Sequence, residues 1–211
     1  MSLAPTLLPD LTAIRLRAQA LAMLDAILSP EWEYRYFSFD PQWGTGAMAS
    51  WRNGSGDEWF LEFGPFGAAI KGLAHESDLA RDAGFPAAVR GQVPAAFGSF
   101  LDEPAYSWDH ASFCYWRAPD DARWQRAVHP DPALADKDDG ADEMLALLIE
   151  PAAAYVEFAA EYYEVELPLE AVERLYAHAP LSDALVQALN PEVTLAQVRE
   201  FADEIGYPAL L

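Results

Sequence analysis

Cys114, the one cysteine of the chain, lies four positions after His110, and a thiol beside an imidazole is the pairing a cysteine nucleophile needs. Both lie in residues 110–117, where side chains alternate as in a strand. Residues i and i+4 of a strand share a face but stand roughly 13 Å apart, beyond the reach of a general base. Only a histidine from elsewhere, His75, His129 or His178, could meet the thiol, so Cys114 reads as a small buried hydrophobe. Metal chemistry fares no better. No His-Glu-x-x-His and no cysteine pair occurs, and the four histidines are too far apart for a local ligand set. Aligning Gly140 with the invariant glycine of a calcium loop puts Ala135 and Lys137 at ligand positions, and that motif fails as well. Gly44-Thr45-Gly46 and Gly54-Ser55-Gly56 lack the third glycine or the Lys-Ser/Thr pair of a phosphate loop, and no Gly-x-Ser-x-Gly elbow is present. No catalytic residue, metal or cofactor is expected.

Two groups of side chains remain. The first lies in Trp51-Arg52-Asn53-Gly54-Ser55-Gly56-Asp57-Glu58-Trp59-Phe60 and its sequel through Lys71, His75 and Glu76, where polar residues are set among aromatics. Asp57, Glu58, Lys71, His75 and Glu76 are candidates for a binding rim at strand ends, the usual place for one. The competing account is structural: Asn53 and Asp57 satisfy the backbone of a turn, and Lys71 pairs with a carboxylate across the sheet. The second group, Glu157, Glu161 and Glu164, falls on one helical face at i, i+4 and i+7. With no Glu-x-x-His partners it is a solvated stripe or a surface that meets a partner.

The elements that position these residues are legible from periodicity. Apolar positions at spacings of three and four predict a helix over 9–28, with Asp10 as N-cap and Ser29-Pro30 as its stop. Period-two patterns predict strands over 32–39, 47–52, 58–63 and 68–73, with aromatics on both faces of the first. The loop 53–57 and the turn Gly64-Pro65-Phe66-Gly67 make a meander the economical arrangement. Short helices near Ala87 and over 95–101 interrupt a Gly- and Pro-rich stretch, and a second hairpin is expected over 110–117 and 123–128. Beyond an acidic loop at 129–140, helices are predicted over 142–163 with Pro151 kinking or dividing it, and over 168–177, 182–189 and 194–205, the last closed by Gly206. The expected fold is α+β: an N-terminal helix on an antiparallel sheet of five or six strands over 1–137, then an acidic helical segment over 138–211. That segment docks on the same core or forms a domain of its own.

Charge bounds the partners. The chain carries 34 Asp and Glu against 13 Lys and Arg, a net charge of −21, and residues 138–211 hold 16 of the acids with only Arg174 and Arg199 opposing them. Such a surface repels nucleic acid and anionic membranes, and it steers a basic protein toward it. One cysteine removes a disulfide framework, and no cationic-then-apolar leader or apolar run of about 18 residues is visible, so a cytoplasmic location is expected. Nothing in the pattern sets the oligomeric state.

The run from Asn53 to Phe60, then Ile70-Lys71-Gly72, His75-Glu76-Ser77 and Phe113-Cys114-Tyr115-Trp116-Arg117, resembles a family of uncharacterised bacterial cytosolic proteins. Tyr176-Ala177-His178, Leu189-Asn190-Pro191 and Ile205-Gly206-Tyr207-Pro208 extend the resemblance over most of the chain. It brings no activity and no catalytic residue. In general character, acidic and α+β with an aromatic-rich meander, the chain also looks like immunity proteins that neutralise bacterial toxins. The favoured expectation is a non-enzymatic protein whose acidic surface binds a basic protein partner. The alternative is a small-molecule enzyme or ligand-binding protein built on the Asp57 to Glu76 set.

Overall fold

A computed structural model describes residues 2–210. Helix α1, Leu11–Leu28, begins where Asp10 accepts hydrogen bonds from the backbone of Thr12 and Ala13, the N-cap expected from sequence. From Ala20 to Ile27 every residue of α1 is buried, so this helix is surrounded by other elements. The sheet is a meander of six antiparallel strands in sequence order: β1 Phe37–Asp40, β2 Ala47–Arg52, β3 Glu58–Gly64, β4 Gly67–Leu73, β5 Phe113–Arg117 and β6 Gln125–Arg126.

The first strand is shorter than its alternation predicts. Trp32–Tyr34 is a single 3-10 turn, and Trp32 and Tyr34 are each 60% exposed, so the aromatics of this run are not covered on both faces. The cause is the partner strand. β2 reaches back only to Arg52, whose N–H donates to Tyr36, and Asn53 then enters the next turn, leaving nothing for Trp32 or Tyr34 to pair with.

One face of the sheet carries Phe37, Phe39, Trp59, Leu61, Phe63, Ile70 and Tyr115, packed on α1 and the C-terminal helices. The other carries Phe60, Ala69, Cys114 and Trp116 beneath a cover formed by residues 79–108, which includes α2 Phe85–Arg90 and α3 Gly98–Leu101. The predicted helix over 142–163 is divided into α4 Ala141–Met144, α5 Ala146–Ile149 and α6 Ala152–Tyr162. Pro151 separates the last two because it has no N–H to continue a helix, and it becomes the N-cap of α6. Helices α7 Leu169–Tyr176, α8 Asp183–Leu189 and α9 Leu195–Ile205 follow. Thr194 and Gln197 form a capping box at the start of α9, and Gly206 closes it with φ +73°. Val172, Leu175, Val186 and Val198 from these helices share one core with Ile14 and Leu21 of α1, so the segment after 138 is docked on the core of the sheet. Among the described residues no helix is long and apolar enough to cross a membrane.

Candidate functional site

Where the β2–β3 loop and the end of β4 face helix α6, a cleft of about 630 Å³ opens. Its aromatic wall is Phe37 and Trp51 from the sheet and Phe158 and Tyr162 from α6. Its acidic wall is assembled from three parts of the chain: Asp57 and Glu76 at strand ends, Asp138, Glu143 and Glu150 before and around α4 and α5, and Glu157 and Glu161 on α6. No lysine or arginine among the described residues lines it. Asp57 and Glu76 of the strand-end rim and Glu157 and Glu161 of the helical stripe thus meet in one place.

At the mouth, Asp57 is held by its neighbours. Its Oδ1 accepts the backbone N–H of His75 at 2.8 Å and lies 2.7 Å from His75 Nδ1, and its Oδ2 accepts the Asn53 amide at 2.7 Å. Partial burial by itself would raise the Asp57 carboxyl. The bonds from His75 and Asn53 outweigh it and hold the group below the ordinary aspartate range. His75 Nε2 stands 3.9 Å from Glu76, whose side chain is 87% exposed. A carboxylate–imidazole pair of this kind orients a general base, but no serine, threonine or cysteine of the described residues bonds His75 Nε2.

Glu58 and Lys71 are not part of this cleft. The two-residue period of the strands puts Glu58, Phe60 and Lys71 on the opposite sheet face from Trp59 and Leu61. There the Lys71 side chain is wholly buried, with Nζ 3.4 Å from Glu58 Oε1 and 5.8 Å from the centre of the Phe60 ring. Burial pulls the Lys71 ammonium below the ordinary lysine value, and the Glu58 carboxylate opposes only part of that. The cross-sheet ion pair of the structural account is what forms. Glu164 also leaves the predicted set: α6 ends at Tyr162, and Glu164 lies past it in the left-handed region at φ +56°, so the helical stripe stops at Glu161.

Two further titratable pairs are structural. His129 Nδ1 accepts the Asp131 N–H, which assigns the proton to Nε2 facing Asp82, and the imidazole stacks on Phe85. On the cover side, Tyr106 donates to Glu62 at 2.7 Å, and burial raises the Glu62 carboxyl despite that bond. Cys114 is fully buried beside Lys71, and burial pushes its thiol up, the reverse of what a nucleophile needs. No group of three or more His, Cys, Asp or Glu among the described residues is placed to hold a metal ion.

Sequence reasoning missed the aromatic half of the cleft on α6. Its signal is present, since Ala154, Glu157, Phe158, Glu161 and Tyr162 recur at spacings of three and four, and all five line the cleft. Comparison with known proteins brings no match: no family model, no curated protein and no solved structure matches this chain.

Proposed function

We propose that this is a non-enzymatic, immunity-like interaction protein that receives a basic protein partner at the carboxylate-walled cleft. The observation that carries the reading is the composition of that cleft. Carboxylates from three separate parts of the chain share one concave surface with aromatic rings and no basic side chain among the described residues. Like charges gathered this way repel one another in the free protein, and a cation that enters relieves the repulsion while it gains the attraction. Carboxylates spread over the wall suit several positive charges on a macromolecule better than one small ion. The alternative, a small-molecule site, keeps Asp57, His75 and Glu76 together but loses Glu58 and Lys71 to the other sheet face, and among the described residues no serine, threonine or cysteine bonds the imidazole. A cytoplasmic, bacterial setting fits the reading and is part of the proposal.

The test is affinity capture from lysate of the source cells, followed by kinetics on the purified pair. A basic partner is expected, with an association rate that falls as salt rises. Exchanging Glu157→Gln and Glu161→Gln together should slow association at low salt. A partner that binds this variant as fast as the parent, or at a rate independent of salt, removes the reading.

A further inference from the structure

Resting on that reading of the cleft, we infer that the cation anchoring the partner is an arginine, whose guanidinium lies flat on the ring of Tyr162 while its edge meets the carboxylates of the cleft wall, Glu161 first among them. Tyr162 is the part of the cleft wall that is neither acidic nor covered, being 48% exposed. Its ring is fixed in place from behind: the Phe158 centroid is 4.7 Å away at an interplanar angle of 30°, and the Tyr36 centroid is 5.2 Å away, edge-on. A ring held this rigidly offers a face to a ligand at little entropic cost.

Burial raises the Tyr162 hydroxyl, the charges of Glu161 and Glu143 act on it in the same direction, and Glu157 lies one helical turn back from Glu161 on the same cleft wall. A planar cation with donors in its plane satisfies both features at once, since its face meets the ring and its edge meets the carboxylates. A lysine ammonium meets the carboxylates but makes less of the ring. Several of the chain's own arginines stack on rings in this way. Arg17 lies 3.8 Å from the centre of the Tyr176 ring, Arg35 4.3 Å from Phe201 and Arg52 5.2 Å from Trp32. The Tyr162 ring has no cation of the chain stacked on it among the described residues.

The experiment compares labelled oligo-arginine and oligo-lysine peptides of equal length by fluorescence anisotropy at low salt. The parent protein should bind oligo-arginine roughly three- to thirtyfold tighter than oligo-lysine. Tyr162→Leu should erase that preference and leave oligo-lysine binding nearly unchanged, while Tyr162→Phe, which keeps the aromatic face, restores it. Equal affinity for the two peptides, or a preference that survives Tyr162→Leu, overturns the assignment of arginine while the cleft still binds cations. If neither peptide binds, or if Glu157→Gln with Glu161→Gln weakens neither, the cleft reading falls and the assignment falls with it.

Discussion

Asp25 sits inside α1 with no exposed surface, and its carboxylate joins three elements. Oδ2 accepts the backbone N–H groups of Tyr36 and Phe37, both at 2.8 Å, and Oδ1 accepts the Tyr155 hydroxyl of α6 at 2.6 Å. Burial raises this carboxyl to about 6 from an ordinary 3.8, the bonds from Tyr155 and the backbone recovering only part of the cost. A group whose folded value is raised is most favourable to folding when protonated. The penalty on the charged form is therefore absent below pH 3.8, grows between 3.8 and about 6, and is complete above that. Its full size is about 3 kcal/mol, of which roughly 1 kcal/mol develops between pH 5 and 7. In Asp25→Asn the amide oxygen can still accept both N–H groups, and the amide NH₂ faces the Tyr155 oxygen. Re-aiming that hydroxyl costs about 1 kcal/mol. The variant should therefore be more stable than the parent by about 2 kcal/mol at pH 7, and by roughly 1 kcal/mol less at pH 5. Denaturant unfolding of both proteins across this range reads the difference directly, and shared effects of the large negative charge cancel. A stability difference that does not change between pH 5 and 7 refutes the argument, because it means Asp25 titrates as it does in the unfolded chain.

Other expectations concern the sheet and the helix ends. Glu58→Ala leaves the Lys71 amine buried without its carboxylate and should cost about 1–2 kcal/mol by denaturant unfolding, a loss that adding Lys71→Met recovers. Gly72→Ala would set a methyl 1.9 Å from the Phe113 ring, so it should destabilise by about 1–3 kcal/mol and lower the thermal midpoint. Thr194→Ala removes the hydroxyl from the capping box of α9 and should cost about 1 kcal/mol, with hydrogen exchange fastest in the first turn of that helix.

Most of the fold could be read from local signals because most of its elements are locally encoded. Asp10, Pro151, Thr194 and Gly206 each mark a helix boundary through their own backbone chemistry, and the turns at 53–57 and 64–67 set the register of the hairpins around them. What the sequence could not supply is decided by distant partners. The run from Trp32 alternates like a strand, yet its pairing ends at Tyr36 because β2 is short. Asp57 and Lys71 look like members of one rim until the pleat sends Lys71 to the other side of the sheet. The convergence of Asp57 and Glu76 with Glu157 and Glu161 depends on where α6 docks, and neither group carries a local sign of the other.

The position of α1 bears on how the chain is made. Its buried residues belong to the first 28 of the sequence, and they are covered by β1 and by helices that end near residue 205. During synthesis the helix therefore emerges before every element that covers it, and its last apolar face stays open until α9 has been made. A nascent chain cut short after β6 would have its sheet hairpins in hand but an uncovered helix beside them. The acidic helices after β6 therefore complete the cover of α1 as well as forming one wall of the cleft, and a product truncated before them should aggregate despite its charge.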